Sequence, residues 1–146
     1  MIVPDINLLI YAYNEQAPKH SQAKTWWENC LNGEDIIGIP WIVISGYLRL
    51  MTHARVMTTP MPVTEATANV RQWISQPVVR TIEPGSQFAK HFLRNLEVLG
   101  TAGNLTTDAF IAAIAQEHQA EVHSNDADFL CLTEACWRWW VRTWVW

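Results

Sequence analysis

The strongest constraint in this sequence is the alternation of short candidate strands with segments whose apolar residues recur at helical spacing. Residues 2–4 and 36–40 are apolar runs that predict strands, and two further strands are predicted at residues 78–82 and 121–124. The segments between them predict helices at residues 8–13, 21–31, 42–51, 64–74, 88–99 and 109–115. Strands that alternate with helices are joined by right-handed crossovers into a sheet covered on both faces. The sequence therefore predicts an α/β fold with a mostly parallel sheet.

Composition and charge narrow the class of protein further. The chain has 146 residues, of which 49% are apolar and 16% charged, so it can bury a sizeable core and should not be disordered. We expect residues 1–146 to form a single domain. A net charge of −4, from 10 Lys and Arg against 14 Asp and Glu, excludes a protein that holds nucleic acid through a large positive field. Nucleic-acid binding would need a local basic patch or a metal ion.

Cysteine usage and the N-terminal segment bear on the cellular compartment. Cys30, Cys131 and Cys136 are odd in number and lack metal-ligand spacing, which indicates neither a disulfide framework nor a zinc site. The N-terminal apolar stretch contains Asp5 and has no basic leader or cleavage site. No apolar run reaches the roughly 18 residues of a membrane span. We therefore expect a cytoplasmic protein without a membrane association.

Acidic residues stand where strands meet helices. Asp5 follows the first predicted strand, Asp126 follows the strand at 121–124, and Asp108 opens the helix before that strand. Ligands of open α/β sheets bind beyond the carboxyl ends of the strands. Each aspartate, taken singly, could instead cap a helix. Three carboxylates brought together would repel one another unless a cation neutralised them. Mg²⁺ and Mn²⁺ are the cations that prefer such oxygen ligands.

Three neighbouring side chains could support this acidic site. Asp128 either adds a fourth carboxylate or is a solvated residue in a first helical turn. The amide of Asn7 either holds a carboxylate or a water on the metal, or is simply a polar residue early in a helix. The hydroxyl of Ser124 either orients Asp126 or caps the turn after the strand.

Two other features could serve function or only structure. Arg49, His53 and Arg55 form a basic group that either contacts a nucleic-acid backbone or is a solvated surface. Aromatic residues crowd the C-terminus, where Trp can stack on bases, pack on the sheet, form a dimer contact or arise from a shifted reading frame. Packing, a dimer contact or a shifted reading frame is favoured over stacking for the five of nine tryptophans found there, which are Trp137, Trp139, Trp140, Trp144 and Trp146.

Four segments, taken together and in order, resemble a known family. They are MIVPDINLLIYA at residues 1–12, ISGYLRLMTH with Arg55 and Val56 at 44–56, GNLTTDA at 103–109 and SNDADF at 124–129. These segments resemble the PIN-domain ribonucleases, specifically the VapC toxins of bacterial toxin–antitoxin pairs. The resemblance covers residues 1 to about 130.

The resemblance implies a fold, a reaction and partners. It implies a three-layer α/β/α sandwich that binds Mg²⁺ or Mn²⁺ and cuts structured RNA, such as a tRNA or a ribosomal RNA loop, leaving a 5′-phosphate and a 3′-hydroxyl. It also implies a VapB-like antitoxin whose C-terminal segment fills the active-site groove and presents Arg to the carboxylates; we further expect a homodimer. By matching position, Asp5, Asp108 and Asp126 are the catalytic and metal-binding residues, and Asp128 is a weaker fourth catalytic member.

One position departs from the family pattern. Many PIN domains carry a Glu on the helix after the second strand, where this chain has Gly46. The surrounding Ser-Gly, the later Arg and the Thr-His pair still resemble a subgroup of VapC proteins. The alternative to an active nuclease is therefore a degenerate PIN module that binds RNA or an antitoxin without cleaving.

Overall fold

A computed structural model describes residues 1–126 and 141–143, and these residues form a five-stranded sheet with helices on both faces. In chain order the elements are β1 (Ile2–Pro4), α1 (Ile6–Tyr13), α2 (His20–Asn32), β2 (Ile37–Pro40), α3 (Trp41–Met51), α4 (Val63–Ile74), β3 (Val79–Ile82), α5 (Phe88–Leu99), α6 (Thr106–Glu117), β4 (Glu121–Ser124) and β5 (Val141–Thr143). A short 3₁₀ helix, Gly103–Leu105, leads into α6. The predicted α/β fold is confirmed.

The order of the strands explains the layers. The sheet runs β3-β2-β1-β4-β5, and each neighbouring pair is parallel. The crossovers from β1 to β3 move in one direction along the sheet, and those from β3 to β5 move in the other. Right-handed crossovers of opposite direction lie on opposite faces, so α1 to α4 cover one face while α5 and α6 cover the other.

The differences between prediction and structure lie at helix starts and in the C-terminal segment. Helix α1 begins at Ile6, two residues before the predicted start, and α6 extends to Thr106 and Glu117 on either side of the predicted 109–115. The first turn of α6 begins with three polar residues that carry no apolar periodicity, so the pattern missed it. Strand β5, at Val141–Thr143, was not predicted at all. The predicted helical turn after β4, Asp128 and all five C-terminal tryptophans lie outside the described residues.

An aromatic cluster joins the helices that cover the first face. The rings of Tyr47 on α3 and Trp73 on α4 are fully buried, with centroids 4.6 Å apart. Trp73 Nε1 donates a hydrogen bond of 2.6 Å to the hydroxyl of Tyr13 at the end of α1. Trp27 of α2 packs edge-on against Trp73 at 5.7 Å. Aromatic contacts of this kind add to the free energy of burial, so the cluster fixes α1, the helix that begins beside Asp5.

The path of α6 determines where Asp108 lies. Helix α6 ends at Glu117, shortly before β4 starts at Glu121, so it runs back along the sheet and its first turn lies toward the carboxyl ends of the strands. Asp108 is in that first turn. In the described part of the chain, no helix is both long and apolar enough to cross a membrane.

Candidate active site

The carboxyl ends of the two central strands bring Asp5 and Ser124 together. In the β1–β4 pair, Val3 is opposite Val122 and Pro4 is opposite His123. The next residues along the two strands are Asp5 and Ser124, and the backbone N–H of Asp5 donates to the His123 carbonyl at 2.9 Å. The sheet register therefore places these two side chains side by side at its edge.

The carboxyl group of Asp5 is buried and hydrogen-bonded through both oxygens. Asp5 is only 5% exposed. Its Oδ1 accepts a hydrogen bond of 2.6 Å from the backbone N–H of Ile6, and its Oδ2 accepts one of 2.7 Å from the hydroxyl of Ser124. Asp5 is thus the N-cap of α1 and also part of the acidic site, so the two interpretations of this residue are compatible.

The hydroxyl of Ser124 joins the start of α1 to the segment after β4 at this edge of the sheet. It is fully buried, and its oxygen accepts hydrogen bonds from the Asp126 backbone N–H at 2.9 Å and from Asn7 Nδ2 at 3.4 Å. The amide oxygen of Asn7 in turn accepts from the backbone N–H of Asn125 at 3.5 Å. The structure therefore brings together Asp5, Asn7, Ser124 and the backbone of Asp126.

The electrostatics of this site favour a cation. Burial raises the pKa of Asp5 to about 6, and the negative charge of Asp126 adds to the rise, while hydrogen bonds from Ser124 and Ile6 oppose it. Two carboxylates that interact in a site with little water lower each other's acidity. A bound cation reverses that effect, and carboxylate oxygens are the donors that Mg²⁺ and Mn²⁺ prefer. The donor set thus fits a hard divalent ion.

Asp108, the third predicted member of the acidic site, is on the helix layer that covers the opposite face of the sheet. It is half-buried in the first turn of α6, toward the same end of the strands. Among residues 1–126 and 141–143, no group of three or more His, Cys, Asp or Glu side chains is close enough to hold a metal ion. Asp126 is near enough to Asp5 to raise the pKa of its carboxyl, while the roles of Asp5, Asp126 and Asp108 as metal ligands stay predictions.

Gly46 lies against the residue that follows Asp5. It is buried in the middle of α3, where a Cβ atom would lie 2.4 Å from Ile6 Cδ1 and 3.0 Å from Ile6 Cγ1. Real Cβ atoms do not approach carbon so closely, so Ile6 occupies the space in which a side chain at position 46 would begin. Ile6 thus fills the space that the Glu of other family members would need at this position.

Introducing the usual carboxylate by Gly46→Glu is expected to destabilise the protein. The new side chain must displace Ile6 and bury a charge, with a loss of about 2 kcal/mol or more in the free energy of unfolding. Denaturant titration of the variant measures this loss. Adding Ile6→Ala should recover part of it, because the smaller side chain vacates the space. An unchanged stability of Gly46→Glu would show that the packing is looser than the structure indicates.

The predicted basic group lies away from the acidic pair. Arg49, His53 and Arg55 are exposed, and Arg49 is about 12 Å along the axis of α3 from the sheet edge at which that helix begins. The backbone N–H of Arg55 donates to His53 Nδ1 at 3.0 Å, which fixes the turn after the helix. Contacts between these residues and RNA stay a prediction.

A cation that the sequence did not point to contacts the segment after β4. Lys19, at the N-terminal boundary of α2, donates a hydrogen bond from Nζ to the amide oxygen of Asn125, next to Asp126. A single lysine in the connection between two helices has no spacing or motif that marks it. Only the folded chain shows that it reaches the segment after β4.

The sequence matches the PIN domain over residues 2–133. The chain belongs to the PIN-domain family. Ribonuclease VapC33 of Mycobacterium tuberculosis is 43% identical over 137 residues, which cover 94% of this chain and 96% of the relative. Ribonuclease VapC37 of the same organism is 33% identical over 129 residues, covering 88% and 90%. The resemblance to VapC proteins is confirmed.

Solved structures share the fold of this PIN domain at low sequence identity. VapBC2 from Rickettsia felis, crystallised with a DNA fragment from its promoter, matches with a TM-score of 0.66 and 19% identity, covering 99% of this chain and 100% of that chain. VapC20 of Mycobacterium tuberculosis, a toxin that cleaves the sarcin-ricin loop, matches with a TM-score of 0.63 and 17% identity over 89% and 93%. These likenesses establish the fold.

The metal-free PIN domain is expected to lose stability as the pH rises from the ordinary pKa of an aspartate to the raised pKa of Asp5. The pKa of this carboxyl is raised from 3.8 to about 6, so between these values the folded chain holds a proton that the unfolded chain has released. Unfolding in chelator should therefore show a decrease of about 2 kcal/mol between about pH 4 and pH 7.5 that is absent in Asp5→Asn.

The exposed Asp35 provides the matched control for that experiment. Asp35→Asn removes the same charge from the amino-terminal side of β2 and should keep the pH dependence of the wild type. If Asp5→Asn and wild type lose stability in parallel as the pH rises, Asp5 is not the group that titrates.

Proposed function

We propose that this PIN domain is a Mg²⁺- or Mn²⁺-dependent endoribonuclease toxin that hydrolyses phosphodiester bonds in selected structured RNA. The observation that carries the proposal is the buried Asp5 carboxylate, held by Ser124 next to Asp126 at the carboxyl edge of the sheet. The relatives named ribonuclease, at 43% and 33% identity, support it.

Different side chains of this site can bind the metal ion, orient its ligands and position the segment after β4. Asp5, Asp126 and Asp108 would hold the ion, which when bound activates water and offsets negative charge on the phosphoryl group. Ser124 donates to Asp5 and so directs its other lone pairs. Asn7 and Ser124 hold the segment from 124 to 126 against the start of α1. Burial excludes water around Asp5, which strengthens its interaction with any cation.

Net charge argues for a structured and selected substrate. Nucleases that degrade RNA without selection gain affinity from many Lys and Arg contacts with phosphates. This chain has 10 basic residues against 14 acidic ones, so it can place few of them on one surface. Recognition would then depend on the shape of an RNA loop, such as one in a tRNA or a ribosomal RNA, together with the metal and a small number of cations.

The proposal is tested by incubating the purified protein with a panel of tRNAs and ribosomal RNA stem–loops in Mg²⁺, in Mn²⁺ and in EDTA. Cleavage of one or a few of these RNAs in the presence of metal, with none in EDTA, is the expected result. RNA or antitoxin binding without cleavage under any of these conditions would favour the degenerate PIN module instead, for which the crowded environment of Gly46 is the supporting observation.

We also propose a VapB-like antitoxin as the protein partner. The solved VapBC structures from Rickettsia felis and Haemophilus influenzae are neighbours in fold. A groove of about 380 Å³ between α1, α2 and α4 is lined by Glu15, Glu28 and Glu65 against a single Lys24, and this excess of negative charge suits a basic segment.

The partner is tested with the product of an adjacent small reading frame. Co-expression should give a stable complex in which RNA cleavage is inhibited. Charge reversal by Glu65→Lys should weaken the complex while leaving cleavage by the free protein unchanged. A neighbouring product that neither binds nor inhibits would contradict the assignment of an antitoxin.

A further inference from the structure

Lys19 is held against the segment that contains Asp126. Its half-buried side chain donates a hydrogen bond to the amide oxygen of Asn125. Its ammonium also lies 6.0 Å from the centroid of the Tyr11 ring on α1. A free lysine side chain samples many rotamers. Contacts with two separate elements restrict that freedom, so the positive charge has a defined place.

Asn125 connects this charge to the carboxylates. It lies between Ser124, which donates to Asp5, and Asp126. Its backbone N–H donates to the Asn7 amide oxygen at 3.5 Å. The ammonium of Lys19 is thus attached to the same short segment that forms the acidic site. A cation there offsets the repulsion between approaching RNA phosphates and the two carboxylates.

We propose that Lys19 binds a phosphate group of the RNA, adjacent to the bond that is cut. This inference rests on the proposed function and adds a substrate contact to the same site. An ammonium group has three N–H donors, and among the described residues one of them donates to a neutral amide oxygen. A phosphate oxygen is a stronger, charged acceptor, so it can join or replace Asn125. The compact charge of lysine suits this contact.

The first test measures cleavage and binding by Lys19→Met. For the RNA that the wild type cuts best, KM should rise about tenfold with a smaller change in kcat, as expected for loss of one charged hydrogen bond. Binding is measured with a labelled RNA stem–loop in an Asp5→Asn background, which prevents turnover. There the slope of log K against log salt should become shallower by about 0.7, the loss of one phosphate contact.

The matched control is Lys90→Met, which removes the same charge from an exposed position on α5, on the other face of the sheet. It should leave KM and the salt slope unchanged. If Lys19→Met and Lys90→Met behave alike on both measurements, the proposal is overturned. Cleavage by the wild type would still support the nuclease. If the wild type fails to cleave, the salt slope alone decides on Lys19.

Two further variants separate charge from structure. Lys19→Gln keeps an N–H donor for Asn125 but carries no charge, whereas Lys19→Arg keeps the charge. If Lys19 contacts a phosphate, Lys19→Gln should change KM and the salt slope as much as Lys19→Met does. The KM of Lys19→Arg should stay within about threefold of the wild-type value. A wild-type KM in Lys19→Gln, with loss in Lys19→Met, would mean that Lys19 only tethers Asn125, and would overturn the proposal.

Discussion

Replacing Asp5 with Asn is expected to reduce RNA cleavage at least about 100-fold, since even partners that only support a metal ligand contribute 10- to 100-fold. Asn keeps the shape of the side chain and can still cap α1, but it lacks the charge that faces Asp126. Initial rates on one RNA, at saturating Mn²⁺ and about pH 7.5, measure the effect.

Two controls accompany this variant: a thermal melt that checks its fold, and the substitution of an exposed aspartate. Because removal of a buried charge stabilises the metal-free protein, Asp5→Asn should melt at or above the temperature of the wild type. Asp35→Asn, at an exposed position before β2, should keep full activity. Cleavage by Asp5→Asn within a few-fold of the wild-type rate would exclude Asp5 from the reaction.

Ser124→Ala is expected to have the second largest effect, a decrease of about 10- to 100-fold near neutral pH. The hydroxyl of Ser124 donates to Asp5 and lowers the pKa of that carboxyl, which burial has raised to about 6. Without this hydrogen bond the pKa rises further, so a larger fraction of Asp5 is protonated at neutral pH and unable to bind a cation. The acidic limb of the pH–rate profile should move to higher pH.

A pH profile distinguishes this effect from general damage. Activity of Ser124→Ala should recover in part at about pH 9, because Asp5 is then ionised, whereas that of Asp5→Asn should not. Ser75→Ala, which removes an exposed hydroxyl, is the matched control and should follow the wild-type profile. A pH profile of Ser124→Ala that is lower but unshifted would indicate that Ser124 acts by packing alone.

The prediction of the fold from the sequence succeeded where apolar pattern and topology agree. Residues 37–40 are a short buried run, and residues 79–82 bury Val79 and Ile82; both segments lie between amphipathic helices, so their strands were found within a residue. Strand β5 has no such boundary, because Val141 and Thr143 stand among tryptophans that obscure any alternation. Residues 141–143 are a strand because they pair with β4, and the pattern of apolar residues carries no information about which strands pair.

The acidic site was predictable to the extent that it follows from sheet topology. Asp5 and Asp126 follow strands that are neighbours in the sheet, so the rule for carboxyl ends placed them together. The two roles of Asp5, as helix cap and as site residue, needed coordinates, since either role predicts an Asp there. Lys19 and the contact of Gly46 with Ile6 are long-range packing facts without a local signal.

The most direct test of the account is the origin of the oxygen atoms in the products. A metal-activated water requires cleavage in H₂¹⁸O with Mn²⁺ to give a 5′-phosphate carrying one ¹⁸O atom and an unlabelled 3′-hydroxyl, as read by mass spectrometry. Asp5→Asn should give no labelled product. Unlabelled fragments ending in a 2′,3′-cyclic phosphate, formed equally well in EDTA, would contradict the account, because the RNA's own 2′-hydroxyl would then be the nucleophile.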